Sequence, residues 1–310
     1  MRLFLGVDGG QSSTTALIGD ETGRILGSGM GGPCNHAETH EGRAKLERAV
    51  SACLAGACSE AGLDPATVRF EAACFGMSGG PEDKQQILAA MLRTDRLIVT
   101  HDAAIALSGA TENGRGIITI AGTGSMAFGR NAHGRSARAG GWGYVYGDEG
   151  GAFDIVRQAL RAALRMEEGW GRPTELRRIL IEATASADVG QALHRFYSDE
   201  WPRARQATLA KLVDEAADSG DRVAREILAS AAGKLAGFAG AVRSQLWTSG
   251  EAVAVAYIGG VFRSNRVREH FRTLMQAEPG THCGEPLYGP DAGALLEAWR
   301  AVGLNPRIRD

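Results

Sequence analysis

Residues 3–14 are LFLGVDGGQSST, a short apolar run that passes directly into a turn of glycine and hydroxyl residues. Such a run is typical of a buried strand that ends at its glycines. Residues Thr14–Ile18 predict a second strand, Asp20–Gly23 a turn, and Arg24–Gly27 a third strand. Three antiparallel strands at the outset differ from the strand–helix–strand unit that opens a dinucleotide-binding fold.

The same order of features returns in the middle of the chain. Gly116–Ile120 predicts a buried strand, Ala121–Ser125 is its small-residue turn, Met126–Arg130 predicts the next strand, and His133–Arg135 is a second turn that contains Gly-Arg. This internal echo predicts two related domains, each opening with a β-meander whose first turn can hold phosphate.

The repeat sets our expected domain bounds, residues 1–112 and residues 113–310. The second domain should carry helical insertions after Gly151, where Ala-, Leu- and Arg-rich segments dominate. A last helix over 291–302 is bounded by proline and glycine, and it can pack back on the first domain.

Composition excludes several classes of protein. The 310 residues carry 34 Lys and Arg against 36 Asp and Glu, so the formal charge of −2 offers no basic surface to nucleic acid. No apolar run approaches the roughly 20 residues of a membrane span. The five cysteines form no CxxC pair, and we expect buried, reduced thiols and a cytoplasmic protein. The 43 glycines have no collagen-like period. Their clusters indicate places where the backbone is held close to another group.

The first glycine turn is a candidate phosphate site. Gly9 and Gly10 allow successive N–H groups to point into one concavity, and the hydroxyls of Ser12 and Thr14 can add donors. Asp8 is placed to hold a magnesium ion through water. The alternative is a plain hairpin with a capping aspartate.

Two later glycine turns add to this pattern. Gly122–Ser125 offers a second cradle of the same kind, and one phosphate clamped between two such loops would explain the repeat. Gly259 and Gly260 follow a predicted strand and could let a base or ribose approach the backbone, although strand-to-helix turns often contain glycine.

Asp102 ends a predicted strand, Leu97–Thr100, just before an alanine-rich helix. A carboxylate at that place can act as a general base toward a hydroxyl. The alternative is an ordinary N-cap for the helix that begins near Ala103.

The most distinctive segment is Gly140–Gly151, GGWGYVYGDEGG, in which glycines alternate with three aromatics and two acids. An aromatic face packs against a sugar ring, and carboxylates accept its hydroxyls. Asn35, after Gly31–Pro33, is a polar loop residue that could reach the same ligand. The alternatives are a core position for Trp142 and a turn position for Asn35.

Together these segments resemble the N-acetylglucosamine kinase and BadF/BadG/BcrA/BcrD ATPase family, within the superfamily of actin and hexokinase. The matching segments occur in family order, and GGWG…GDEG is the most specific of them. They are Gly6–Thr14, Pro33–His36, Met77–Gly80, Thr100–Leu107, Ile120–Ser125, Gly140–Gly151 and Ile258–Ser264.

The resemblance implies an α/β fold with two RNase H-like domains that close an interdomain cleft over ATP, Mg²⁺ and a sugar. Asp102 matches the base that deprotonates the sugar 6-hydroxyl. The nucleotide positions implied, together with the glycine turn above, are Gly9, Gly10, Ser12, Thr14, Thr123, Ala207, Gly259, Gly260 and Ser264. The sugar positions implied are Asn35, Gly79, Asp102, Ser125, Gly141, Trp142, Gly143 and Asp148.

The expected function is therefore that of an ATP-dependent hexosamine 6-kinase acting on N-acetylglucosamine, as a homodimer. Met126 stands where the vertebrate kinases carry Asn, and Gly140 stands where a pocket Cys is expected, so the exact sugar stays open. Glucosamine, N-acetylmannosamine and muramic acid derivatives are alternatives within the same reaction. An activator ATPase of the BcrA type, which drives electron transfer from an iron–sulfur cluster, and a sugar sensor without turnover are the other classes.

Overall fold

The structure is a computed structural model that describes residues 1–10, 12–34 and 40–309. Its strands are β1 (Leu3–Gly9), β2 (Thr14–Asp20), β3 (Ile25–Gly31), β4 (Phe70–Met77), β5 (Thr94–His101), β6 (Gly116–Ala121), β7 (Ser125–Arg130), β8 (Ser136–Gly140), β9 (Val253–Ile258) and β10 (Thr281–Gly284). Its α-helices are α1 (His40–Ala61), α2 (Gln85–Met91), α3 (Asp102–Ala110), α4 (Gly143–Tyr146), α5 (Ala152–Glu167), α6 (Leu176–Ala183), α7 (Val189–Phe196), α8 (Arg203–Ala207), α9 (Ala210–Asp218), α10 (Arg222–Leu246), α11 (Asn265–Gln276) and α12 (Pro290–Ala301). Short 3₁₀ turns cover Glu112–Gly114 and Gly260–Arg263.

The chain divides into two compact units. Unit 1 comprises residues 1–115 and 286–310, and unit 2 comprises residues 116–285. These bounds differ from the expected 1–112 and 113–310 in where the first segment ends and in the assignment of the C-terminal segment. The C-terminal segment belongs to unit 1 because α12 packs on β1, β4 and α3, which is the packing expected for the last helix.

Both units contain a five-stranded sheet of the same topology. The strand orders are β3-β2-β1-β4-β5 in unit 1 and β8-β7-β6-β9-β10 in unit 2. In each sheet the first three strands of the unit run antiparallel as a meander, and the last two pair in parallel. The internal echo predicted from the sequence is thus confirmed in the sheet order.

Unit 1 buries both faces of its sheet. Leu5 and Val7 of β1 join a core cluster with α1, whereas Phe4 faces the opposite side and joins one with α12. Alternate residues of a strand point to opposite faces, so a nearly continuous apolar run is what a strand covered on both sides requires.

The contact between α1 and β3 is made through glycines. A Cβ built on Gly27, Gly29 or Gly31 would lie 2.3, 2.0 or 2.1 Å from a carbonyl oxygen of α1, those of Ala57, Cys53 and Ala49 respectively. Every second residue of this part of β3 therefore meets every fourth residue of α1. These glycines let the helix backbone approach the strand directly.

Unit 2 packs the long helix α10 on β6, β7 and β8, and α5 lies against α6, α7, α8 and α9.

Gly237 lies in the middle of α10, where a Cβ would have no heavy atom within 4 Å. Glycine in a helix interior costs backbone entropy that alanine does not. Gly237→Ala should therefore raise the free energy of unfolding by about 0.5–1 kcal/mol in urea denaturation; a decrease would show that this face of α10 is covered.

All five cysteines are buried and free of disulfides, as expected from their spacing. Burial raises the pKa of the Cys53 and Cys283 thiols to about 12. Among the described residues, no helix is both long and apolar enough to cross a bilayer.

Candidate active site

Three parallel strands of unit 1 end at one edge of the sheet. The register places Gly9 of β1 beside Met77 of β4, and Met77 beside His101 of β5. The residues that follow each strand therefore share this edge. They are Gly10, the turn Ser78–Gly80 and Asp102. The positive φ of Gly79 and Gly80, 79° and 90°, is the reason that this turn contains glycine.

Asp102 is the first residue of α3, and His101 occupies the N-cap without a side-chain cap bond. The Asp102 carboxylate is half-buried and accepts the Ala103 N–H through Oδ1 at 2.8 Å. Burial raises the pKa of Asp102, and hydrogen bonds from the Ala103 N–H and the Ser78 hydroxyl partly oppose this. A carboxylate whose pKa is raised by burial, at the end of a strand, is suited to take up a proton.

Asp8 lies on β1 near the same edge, and its carboxylate has no hydrogen bond or ion pair with the described residues. Burial raises the pKa of Asp8 to about 7, and the charges of Asp102 and Asp291 add to this effect. Asp291 lies in the first turn of α12, far along the chain, so no sequence pattern singled it out.

The excess of negative charge at this edge favours a cation. Within the described part of the chain, no group of three His, Cys, Asp or Glu side chains is arranged to bind a metal. Mg²⁺ bound with a nucleotide needs only one or two carboxylates besides water and phosphate. Asp8 fits that donor set, which is the role expected from the sequence.

The first glycine turn is tied to its own unit by backbone bonds. The Gly10 N–H donates to Ser13 O at 2.9 Å, and Gly10 O accepts the Cys34 N–H at 3.0 Å. A Cβ on Gly9 would lie 2.6 Å from Met77 Sδ, so a larger residue at this position would require the Met77 side chain to move. Ser12 is exposed and stays available to a ligand.

Thr14 differs from its expected role. Its side chain is fully buried, and its hydroxyl donates to Gly32 O at 2.8 Å, so the proton is committed within the unit. Gln11 and Asn35 lie outside the described residues, so the expectation for Asn35 has no structural counterpart.

In unit 2 the second cradle, Gly122–Ser125, is hydrogen-bonded to the start of α5. Gly122 O and Thr123 O accept N–H groups of Ala152 and Phe153 at 2.8 and 3.1 Å. The Ser125 hydroxyl donates to Glu149 O at 2.6 Å. The cradle and the segment Gly140–Gly151 are therefore one hydrogen-bonded assembly, although they are separate in sequence.

The segment Gly140–Gly151, which we call the aromatic loop, has a backbone that favours glycine at four positions, and its three aromatic residues are exposed. Gly140, Gly141, Gly143 and Gly150 have φ between 72° and 79°, values that L side chains rarely adopt. The Trp142 side chain is 66% exposed with Arg138 over its ring at 4.4 Å, so Trp142 is not a core residue.

Asp148 of the aromatic loop also has positive φ, 62°, yet its side chain is buried. One oxygen lies 3.4 Å from the Ser125 amide N, and the other lies 3.4 Å from Arg203 Nη1. Both contacts are long, so the carboxylate keeps acceptor capacity for further hydrogen bonds.

Asp154, one turn into α5, holds the end of the aromatic loop in place. Its carboxylate accepts the Gly150 N–H at 2.9 Å and Arg157 Nη2 at 2.7 Å. Although burial acts to raise it, the pKa of Asp154 is lowered by these donors and by Gln158 and Lys234. The sequence offered a signal, an acid three residues after the helix N-cap, but we did not assign it a role.

A cavity of about 460 Å³ lies entirely within unit 2. It is lined by four of the expected nucleotide residues, namely Thr123, Ala207, Gly260 and Ser264. Its size is within the usual range for small-molecule sites.

Gly259 does not line this cavity. Its φ is 111°, and a Cβ there would lie 2.3 Å from Ala121 O of the neighbouring strand. The glycine is thus required by the approach of two backbones.

Lys211, Asp214 and Arg263 line the cavity, and the sequence did not single them out. Ser264 Oγ donates to Asp214 Oδ1 at 2.5 Å while it caps α11. Ala207, Lys211 and Asp214 recur four and three residues apart, so helical spacing from Ala207 was the available signal.

Comparison with known proteins agrees with this arrangement. The model of the BadF/BadG/BcrA/BcrD ATPase family matches residues 5–298. The chain is 32% identical over 283 residues to an N-acetylmuramic acid/N-acetylglucosamine kinase from Clostridium acetobutylicum, with 89% of this chain and 90% of the relative covered. It is 27% identical over 319 residues to an N-acetyl-D-glucosamine kinase from Dictyostelium discoideum, with 96% and 97% covered.

A solved structure supports the same relationship. A candidate N-acetylglucosamine kinase from Chromobacterium violaceum superposes with a TM-score of 0.77 at 26% identity, over 96% of this chain and 98% of the other. The predicted α/β fold class with two RNase H-like domains is confirmed by this likeness and by the two sheets. The family match, which covers nearly the whole chain, shows that it belongs to the BadF/BadG/BcrA/BcrD ATPase family.

Proposed function

We propose that this protein is an ATP-dependent hexosamine 6-kinase that converts N-acetylglucosamine to N-acetylglucosamine 6-phosphate. The observation that carries the proposal is Asp102, a carboxylate held by the Ala103 N–H and the Ser78 hydroxyl at the carboxyl edge of parallel strands. Relatives over almost the full length that are named as amino-sugar kinases support the same class of reaction.

In the proposed reaction, Asp102 takes the proton of the sugar 6-hydroxyl. The sugar oxygen attacks the γ-phosphorus in line as ADP leaves. Such transfers depend mainly on positioning and on stabilisation of charge. Asp8 would hold Mg²⁺ through water, and the ion would neutralise charge on the β- and γ-phosphates.

Unit 2 would supply the nucleotide and sugar contacts. The 460 Å³ cavity, with Ala207, Gly260 and Ser264 on its wall, is the proposed nucleoside site, and Thr123 at its rim is placed for phosphate. The sugar is proposed to pack on the exposed Trp142 and to donate a hydroxyl to Asp148. The other sugar contacts that we propose in unit 2 are Ser125, Gly141 and Gly143, and Gly79 is the sugar contact that we propose in unit 1.

The identity of the sugar is the finer part of the proposal. The Clostridium relative is named for two substrates, N-acetylmuramic acid and N-acetylglucosamine, so an acidic amino sugar is an alternative. Met126 lies beside the aromatic loop, with its Cβ 3.3 Å from the position that a Cβ on Gly141 would take. Glucosamine and N-acetylmannosamine are further alternatives for the sugar substrate. A homodimer and a cytoplasmic location also remain predictions.

An ATP-coupled assay of ADP release over a panel of sugars tests the function. The panel holds glucose, glucosamine, N-acetylglucosamine, N-acetylmannosamine and N-acetylmuramic acid. We expect ADP release that depends on an N-acetylated amino sugar and is fastest with N-acetylglucosamine. Equal ADP release without any sugar, together with bound iron, would instead favour an activator ATPase. The burial of all five cysteines argues against that class, because an iron–sulfur cluster at a subunit interface needs accessible thiolates.

A further inference from the structure

Arg203, the first residue of α8, joins two parts of the aromatic loop. Its guanidinium lies 3.4 Å from Asp148 Oδ2 and 5.2 Å from the centre of the Tyr144 ring. Tyr144 in turn packs edge-on against Phe153 of α5, at 5.5 Å between ring centres. Arg203 therefore contacts both the aromatic and the acidic part of this loop.

Asp148 depends on this contact. The residue is only 7% exposed, and a buried carboxylate is costly unless it is paired. Among the described residues, Arg203 is the cation that forms an ion pair with it. The orientation of the carboxylate, and with it the geometry offered to a sugar hydroxyl, therefore depends on where α8 holds Arg203.

The same short helix faces the nucleotide cavity. Ala204 and Ala207 of α8, and Thr208 directly after it, line the cavity described above. A ligand in that cavity would meet α8 at Ala204, the residue next to Arg203, and at Ala207, one helical turn away. The short helix α8 thus contributes to the wall of the proposed nucleotide site, and it also supplies Arg203, the ion-pair partner of Asp148 in the proposed sugar site.

We propose that Arg203 is a positioning residue that couples nucleotide binding to sugar binding. A nucleotide in the cavity restrains α8, which fixes Arg203 against Tyr144 and Asp148 and presents the Asp148 carboxylate to the sugar. This inference rests on the proposed function, since it assigns the two ligands to these two places.

The coupling has a measurable form. If a nucleotide raises the affinity for the sugar by some factor, the sugar must raise the affinity for the nucleotide by the same factor. Coupling of this kind typically changes an affinity by about 5-fold to 150-fold. Substitution of Arg203 should remove the factor while each ligand still binds alone.

The test is calorimetric titration of N-acetylglucosamine with and without the non-hydrolysable imido analogue of ATP and Mg²⁺, and the reciprocal titration. In the wild type we expect the analogue to tighten sugar binding by about 5-fold or more. In Arg203→Ala this factor should fall to near one, with nucleotide affinity in the absence of sugar unchanged. Arg203→Lys keeps the charge and should recover part of the factor.

Arg205 provides the matched control on the same helix. It stacks on Trp201 at 4.1 Å and donates to Glu200 O at 2.7 Å, away from the aromatic loop. Arg205→Ala should keep the wild-type coupling factor.

Two results overturn the inference. Full coupling in Arg203→Ala would show that α8 transmits nothing through this side chain. A loss of sugar binding without nucleotide would show that Arg203 supports the sugar site itself instead of coupling the two sites. A wild type that binds none of the amino sugars would instead contradict the proposed function, so the two failures are distinguishable.

Discussion

We expect Asp102→Asn to lower kcat for sugar phosphorylation by about 10²–10⁴-fold, the usual contribution of a general base. The amide keeps the size of the side chain and can still accept the Ala103 N–H, but it cannot take up the proton of the sugar hydroxyl. KM for ATP should change by less than about twofold, because the lost interaction belongs to the transition state. The measurement is steady-state kinetics with saturating sugar and a range of ATP concentrations.

Asp95→Asn is the control for this change. Asp95 lies near the opposite end of β5, where it is exposed and pairs with Arg69, so the same substitution should leave kcat unaltered. If Asp102→Asn phosphorylates sugar at the wild-type rate, Asp102 is not the base and serves only to begin α3.

Gly29→Ala should destabilise unit 1 by about 2 kcal/mol or more. The added Cβ would lie 2.0 Å from Cys53 O and 2.5 Å from Ala57 N, both backbone atoms of α1. Backbone cannot rotate away as a side chain can, so α1 must shift along the strand and lose the close packing around Cys53. The free energy of unfolding from urea denaturation measures the effect.

Gly237→Ala makes the same chemical change in open space and should shift stability in the opposite direction. A Gly29→Ala protein as stable as the wild type would mean that α1 does not lie against β3 at the distance seen here.

Glycine shows where sequence reasoning succeeded and where it could not. The turns after β1, β4 and β6 were predictable because a buried run followed by glycine is a local pattern. Gly27, Gly29 and Gly31 had no such signal, since their partner α1 is recruited only by the tertiary fold. These three glycines serve the packing of a helix on a strand and not the candidate site.

The site divides in the same way. Asp102 and the aromatic loop could be recognised as candidates because their residues stand together in the sequence. Asp291 and Arg203 were missed because each meets its partners from a distant segment. Thr14, a residue of the predicted phosphate turn, donates its hydroxyl to Gly32 O just after β3, a contact that the sequence did not predict.

The most direct test of the account is the fate of the γ-phosphate of ATP when the protein is incubated with N-acetylglucosamine and Mg²⁺. Phosphorus NMR distinguishes a sugar phosphomonoester from inorganic phosphate, and its coupling to the carbon-6 protons identifies the position. We predict a 6-phosphomonoester that forms in step with ADP and disappears in Asp102→Asn. Inorganic phosphate released at the same rate with and without sugar, and no sugar phosphate, would contradict the account.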